Sequence, residues 1–563
     1  MFDDTCSMMR TQLTALFCTL LSLSTSAQLL INGHSVAFDE QSHVWLATVP
    51  ETLFEHDSTL AIGFSGDYKS LVINGATVSN SYCFKNITAN SMYPAMVRTQ
   101  EGQTIAGIIM FTCLPVIQLA GDFDDDYHDG KIVVNDPEAD STFVSDVKAK
   151  WRGGTTNGPE KHKRNYKIAF PDDCQFFGLR RDNHWILDAG QADPFRLRNR
   201  IATDLWNDFA TQPYYARREP KVLTGARGRV VEVFLNGEYW GIYNFSECLD
   251  RKQLKVMKVN PTTHEVHGAV WKAKSYGMAM MNWNSTPIPD ARSEWWDTFK
   301  VVYPDLEDND TTDWYTLSEA IRFVSRSHTT DFRNRVGEYF DLPPIIDYFL
   351  FINLLLAPDN TAKNIVWAVY DKQTDRRLTP AVWDLDAIVG QPWLKDINFS
   401  FTSPYFGIMY GNRLMERLYQ LNVDSIIQKT VERYQQLRKT HFTAYHLTSR
   451  YQKYYDLLVK SGAARRETDR WNGDSDLNGH EINFDADIAA ITTWLTRRLG
   501  SLDKQITESY IIKSDVDAVS FPDQQYISNA IYSLTGQKIE SATPHKMLKP
   551  GIYISNGKKY MIK

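Results

Sequence analysis

The stretch from Asp341 to Gly390 leaves this chain the least freedom. Asp341 precedes a run from Ile345 to Leu356 that is apolar or aromatic except at Asp347 and Asn353. Such a run reads as a helix buried on nearly every face. Asp341 is the expected N-cap, and Pro343 and Pro344 are tolerated in a first turn. Ala357-Pro358 ends the helix, because proline disfavours helical geometry in its predecessor. A mostly polar segment follows at once, Asp359-Asn360-Thr361-Ala362-Lys363-Asn364. Ile365–Tyr370 reads as a strand, Asp371–Arg377 as a polar turn, and Leu378–Trp383 as a second strand. That strand runs into Asp384-Leu385-Asp386, with Gly390 soon after. A buried helix thus delivers polar groups to the two ends of one hairpin, whose rigidity sets their separation.

Carboxylates and a carboxamide so arranged suit phosphoryl transfer, and the order of elements matches the catalytic centre of protein-kinase-like folds. One carboxylate must orient and deprotonate the attacking hydroxyl. A second, with a carboxamide, must hold Mg²⁺ (or Mn²⁺) against the triphosphate of ATP. Asp359 is the expected base, Asn364 a metal ligand and Asp384 the principal metal ligand. Asp386 is either a second ligand or a solvent-facing residue.

Elsewhere the sequence bounds the setting. Its 563 residues carry 61 Lys and Arg against 68 Asp and Glu, a formal net charge of -7. That balance excludes a general nucleic-acid binder, which needs a basic stripe to meet phosphates. Residues 1–27 read as a secretory signal peptide. Arg10 precedes an apolar-leaning run from Leu13 to Leu23, and small residues lead to cleavage after Ala27. The run is too short to span a bilayer, so no transmembrane helix is expected. The protein is expected to be exported: periplasmic, on the cell surface or secreted. Cys83, Cys113, Cys174 and Cys248 remain in the mature chain. Export permits disulfides, with Cys83–Cys113 the favoured pair; buried thiols are the alternative.

Short strand-like runs fill residues 28–119, with hairpin signals at Asn32-Gly33 and Asn74-Gly75. A small β domain is expected there. Residues 120–507 open with strands over Val144–Trp151, Tyr166–Phe170, Val230–Leu235 and Tyr239–Phe245. Among them lies a helix capped by Asp193-Pro194, with Leu197, Ile201, Leu205 and Phe209 on one face. After about residue 310 the pattern is mainly helical. Strands first and helices later predict an α+β fold, a two-lobed kinase-like domain. Asp474, Asp476, Asn478, Gly479 and Asp485 follow the spacing of a calcium loop. Asp replaces the usual Glu at the twelfth place, so a bound Ca²⁺ would be held weakly. The alternative is a solvated loop. The tryptophans are scattered, which favours core packing over a glycan platform.

A family resemblance rests on residues in order along some 350 positions. They are Trp151-Arg152-Gly153-Gly154, Lys163-Arg164-Asn165-Tyr166-Lys167-Ile168, Arg198-Asn199, Asn236-Gly237-Glu238-Tyr239-Trp240-Gly241-Ile242-Tyr243, Trp383-Asp384-Leu385-Asp386 and Trp494-Leu495-Thr496-Arg497-Arg498. Together they resemble the spore-coat CotH kinase family. The resemblance implies an atypical secretory protein kinase whose Asp-x4-Asn and Trp-Asp-x-Asp motifs are catalytic and metal-binding. Both motifs are intact here. The family's two adjacent lysines read Lys163 and Arg164, leaving open which cation meets the nucleotide phosphates. Glu247 matches its acidic position, and Arg152 precedes a glycine pair that lets backbone approach phosphate closely. Residues 508–563 resemble the C-terminal sorting domains of proteins exported by Bacteroidetes-type bacteria through the type IX route. The function so implied is ATP- and Mg²⁺-dependent phosphorylation of Ser or Thr on an exported protein. A non-catalytic surface or adhesion protein, and phosphotransfer or nucleotidyl transfer to a small molecule, are the alternatives.

Overall fold

The computed structural model describes residues 28–306, 309, 311–392, 399–403, 409, 411–514, 531–533, 538–539, 551–555 and 558–562. The expected signal peptide and its cleavage point lie outside these residues. The fold is mixed α+β. The chain divides into two compact units: Met1–Gln191 with Gly228–Glu247 and Tyr454–Asp476, and Ala192–Arg227 with Cys248–Lys453 and Leu477–Lys563.

In the first unit, a four-stranded and a six-stranded sheet precede a closed seven-stranded barrel. Local chemistry sets the hairpins. Asn32-Gly33, Asn74-Gly75 and Asn236-Gly237 all take left-handed φ, between 50° and 81°. These are the residues that tolerate such turns, whose twist suits an antiparallel pair. The barrel runs Val116–Ala120, His128–Asp136, Ser141–Arg152, Asn165–Cys174, Asp182–Asp188, Glu238–Glu247 and Gly228–Leu235. The last pairs in parallel with the first. Ile132, Val134, Val147, Ala149, Tyr166 and Ile168 are buried in one core, as the period-two rule for strands requires. The sequence boundary at Leu119 falls inside a barrel strand. Ala37 and Leu46 of the N-terminal sheets share a core cluster with Val116, Phe234 and Tyr239 of the barrel.

All four described cysteines are thiols, so the favoured Cys83–Cys113 bridge does not form. Cys113 is packed into the apolar core of the N-terminal sheets, whereas Cys83 is exposed on the strand Ser81–Phe84. Burial pushes the Cys113 thiol up to about 11, so it behaves as a small inert hydrophobe.

In the second unit a five-stranded sheet has the order Trp295–Trp296, Phe299–Tyr303, Ala269–Ala273, Val366–Val369 and Thr379–Ala381. Around it lie helices including Arg198–Phe209, Tyr315–Arg326, Leu342–Leu355, Ile426–Arg438 and Phe484–Ser514. The helix expected after Asp193-Pro194 starts later, at Arg198. Arg196 takes φ 63°, which no right-handed helix accommodates. Asp193 instead accepts the backbone N–H groups of Phe195 and Arg198, each at 2.9 Å. The C-terminal strands Ile531–Ser533, Lys538–Ile539, Gly551–Ser555 and Lys558–Ile562 form one antiparallel sheet. Among the described residues no helix is long and apolar enough to cross a membrane.

Leu342–Leu355 is buried on almost every face, as its composition predicts. Asp341 flanks it without capping it through its side chain. A capping carboxylate needs the N–H of the second or third helical residue, and here both are prolines. Asp341 accepts the Tyr214 N–H at 2.8 Å instead. Burial pushes its carboxyl up to about 6, although Tyr214 N–H and Arg377 favour the charge. Its proton is therefore held more tightly in the folded chain. The stability this contributes is present below about pH 4 and is lost as pH rises through about 6. Asp341→Asn keeps a carbonyl for Tyr214 and should match wild type near pH 4. At pH 8 it should be more stable by about 1–3 kcal/mol, read from paired urea-unfolding curves.

Candidate active site

Leu356 takes φ 51° and turns the chain sharply out of the buried helix. Pro358–Asn360 then makes a single 3-10 turn. This turn is stitched in place. Asn360 donates to Trp383 O at 2.7 Å, Tyr348 donates to Asn360 O at 2.7 Å, and Asn412 donates to Thr361 O at 2.7 Å. The hairpin behind it pairs Val366 with Ala381 and Ala368 with Thr379. The Asn360–Trp383 bond therefore ties the loop before the hairpin to the strand end after it. Leu385 N–H donates to Asn199 Oδ1 at 3.0 Å, which anchors the Trp-Asp-Leu-Asp turn on the helix Arg198–Phe209.

Asp359 is 8% exposed. Its Oδ2 accepts Lys363 Nζ at 2.6 Å and Asn364 Nδ2 at 3.2 Å, and its Oδ1 accepts the Tyr276 hydroxyl at 2.5 Å. Burial opposes a charge on Lys363. The carboxylates of Asp359, Asp384 and Asp386 more than offset this, and its pKa lies above the ordinary lysine value. One ammonium thus senses all three acids, which places them in a common electrostatic neighbourhood. Asn364 and Asp384 both take left-handed φ, 62° and 59°. Asn and Asp accept that geometry better than other residues with a side chain, and such backbone gathers at functional sites. Asp386 Oδ1 also accepts its neighbour Ala387 N–H at 2.8 Å. Two carboxylates and a carboxamide are hard oxygen donors, the set that Mg²⁺ or Mn²⁺ prefers. The donor set fits such an ion.

The nucleotide candidates lie in the first unit. Lys163 is 1% exposed. Its ammonium donates to Glu467 Oε1 and to Ile242 O, both at 2.7 Å, and sits 4.9 Å from the Tyr243 ring centroid. Glu467 belongs to the helix Ala463–Trp471, and its other oxygen accepts Ile242 N–H at 2.6 Å. Gly241 makes that approach possible, since a Cβ there would stand 2.1 Å from Glu467 Oε2. Arg164 places its guanidinium carbon over the Trp151 ring, 3.7 Å from the centroid. It donates to Pro159 O at 3.3 Å, and among the described residues its buried Nη1 has no partner. Arg152 ends the strand Ser141–Arg152 beside Gly153, and Gly153's φ of 131° suits only glycine. Glu247 is buried and accepts Arg180 N–H at 2.7 Å.

Of the calcium-loop residues, the structure brings together Asp474 and Asp476 and adds His162, which the sequence reading missed. His162 Nδ1 is 2.8 Å from Asp474 Oδ2, while Asp476 Oδ2 accepts the N–H groups of His162 and Lys163 at 2.9 Å. Asn478 and Asp485 fall in the other unit, and Asp485 sits in the first turn of Phe484–Ser514. Sequence reasoning also missed Glu467, Lys363 and Tyr276. Lys363 had a local signal, since four residues after Asp359 it can reach back across one turn.

Breaking the Lys163–Glu467 pair should be costly, because one partner removed leaves the other charge buried alone. Lys163→Met should lower unfolding stability by about 3–5 kcal/mol. The double variant Lys163→Met, Glu467→Leu should recover more than half of that in chemical denaturation.

The family model described as CotH kinase protein matches residues 149–502, well over half of the chain. No curated protein matches the sequence. The matched span contains Arg152, Lys163, Arg164, Glu247, Asp359, Asn364, Asp384 and Asp386, and the chain belongs to the CotH kinase protein family.

Proposed function

We propose that this protein is an exported kinase that moves the γ-phosphoryl group of ATP to a Ser or Thr hydroxyl of another exported protein. Support comes chiefly from Asp359, whose carboxylate is presented beside Lys363 and Asn364, with Asp384 and Asp386 close enough to act on the same ammonium. Phosphoryl transfer needs little covalent help from protein; positioning and charge neutralisation do most of the work. Asp359 orients the acceptor hydroxyl and takes its proton as the oxygen bonds to the γ-phosphorus and the bond to the bridging oxygen of the leaving ADP breaks. Lys363 donates to that carboxylate and offers positive charge to the phosphoryl oxygens. A Mg²⁺ or Mn²⁺ ion held by Asp384 and Asn364, with Asp386 as a further oxygen donor, would neutralise the triphosphate. Asn360 and Asn199 keep both polar turns in register with the hairpin.

In this reading the nucleotide-side candidates lie in the first unit and the acids around Asp359 in the second. Arg164 is the better phosphate candidate, because Lys163 is committed to Glu467. Export rests on the apolar N-terminal run, and the C-terminal strands serve as a sorting module. A binding protein that reuses the kinase fold is the second reading, favoured by the full burial of Lys163.

Incubation with γ-labelled ATP, Mg²⁺ or Mn²⁺ and the host's exported proteins separates the two. Wild type should label a protein, and Asp359→Ala and Asp384→Ala should each lose at least about 100-fold in rate. Equal labelling by wild type and Asp359→Ala, or none by either, rejects the kinase. Tandem mass spectrometry of the product distinguishes an added phosphate from an added nucleotide.

A further inference from the structure

The carboxylate assigned as base is already engaged by a hydroxyl. Tyr276 Oη donates to Asp359 Oδ1 at 2.5 Å, the place and the functional group expected of an acceptor. The other oxygen of Asp359 holds Lys363 and Asn364. Tyr276 lies between the strand Ala269–Ala273 and the 3-10 turn Met278–Met280, with exposed residues Ser275 and Gly277 on either side.

Its segment is aimed rather than loose. Lys274 N–H donates to Thr298 O at 2.8 Å, Met278 N–H to Asp297 Oδ1 at 3.1 Å, and Ala279 N–H to Thr298 Oγ1 at 3.1 Å. Gly277 lets the segment lie that close, since a Cβ there would stand 2.5 Å from Thr298 Cγ2. Burial, and then the Asp359 charge, hold the phenol's pKa far above its ordinary value, so it stays a donor.

We propose that Tyr276 is a specificity-determining residue that keeps water off the catalytic base until an acceptor protein displaces it. This rests on the kinase reading of Asp359. A kinase whose base is open to solvent hydrolyses ATP: the oxygen of water bonds to the γ-phosphorus, the bond to the bridging oxygen of the leaving ADP breaks, and water's proton passes to the base. With the Tyr276 hydroxyl on Oδ1, water must break a hydrogen bond to a charged group before it can be deprotonated. A protein acceptor brings binding energy from beyond the reacting hydroxyl, which water lacks, and this drives the exchange.

The test compares ATP hydrolysis without acceptor by wild type, Tyr276→Phe, and Tyr276→Phe with Asp359→Ala, together with phosphoryl transfer to the exported-protein fraction. Tyr276→Phe keeps the ring and removes the hydroxyl; its melting curve checks the fold. Acceptor-free hydrolysis should rise roughly tenfold, the weight of one hydrogen bond to a charged group, without a fall in transfer. The rise should vanish in the double variant. Unchanged hydrolysis, a fall in hydrolysis and transfer together, or a rise that survives Asp359→Ala overturns the inference and leaves the kinase reading standing. If no variant and not even wild type turns over ATP, the kinase reading fails and this one with it.

Discussion

A helix with no solvent face can hold up a polar loop only if its own polar groups are met from outside. Leu342–Leu355 is such a helix, and the Asp347 carboxylate and the backbone carbonyl of Asn353 show how this is done. Asp347 accepts Thr211 N–H and Oγ–H at 2.6 and 2.7 Å, and Arg433 grips both its oxygens at 2.7 and 3.0 Å. At the far end the Asn353 carbonyl accepts Arg498 Nε and Nη2 at 3.0 and 2.7 Å. Arg498 is wholly buried, and its remaining donors reach the carbonyls of Phe401 and Ser403. Burial draws its pKa down to about 9, still well above neutral, so it remains a cation at the helix's negative end.

That arrangement makes the turn Pro358–Asn360 an extension of the core. The chain leaves the helix at Leu356, and within eight residues it has placed Asp359, Lys363 and Asn364. Short side-chain bonds from Asn360, Asn412 and Asn199 then transmit the rigidity of helix and hairpin to the polar turns. Rigid mounting matters for phosphoryl transfer, where a displacement of about 1 Å can cost about a hundredfold in rate. The left-handed backbone at Asn364 and Asp384 is the local strain this mounting sustains.

The first unit follows another logic. A barrel closed by pairing Val116–Ala120 with Gly228–Leu235 has no free edge. Its two adjacent cations, Lys163 and Arg164, then divide in role. Lys163 is consumed by a buried ion pair that pins the helix Ala463–Trp471 to the strand Glu238–Glu247, whereas Arg164 sits over Trp151 and its Nη1 has no partner among the described residues. Both residues lie just ahead of the strand Asn165–Cys174, and their different partners, not their spacing, set them apart.

What the sequence by itself determined was local. Asn-Gly pairs dictated three hairpins, because few other residues accept left-handed φ in succession. An unbroken apolar run dictated the buried helix, and the Asp-x4-Asn loop and Trp-Asp-x-Asp turn followed from its end and from the hairpin. Expectations failed where a nearby detail overruled a pattern: prolines removed the N–H groups that Asp341 would have capped, and Arg196 delayed the helix after Asp193. Tertiary structure alone decided the partners. Glu467 meets Lys163 across 304 positions, and Tyr276 meets Asp359 across 83. A buried charge or carboxylate demands a partner, but nothing local says which one. Only the packed fold brings distant residues within hydrogen-bond reach, and that choice separates an occupied carboxylate from an open one.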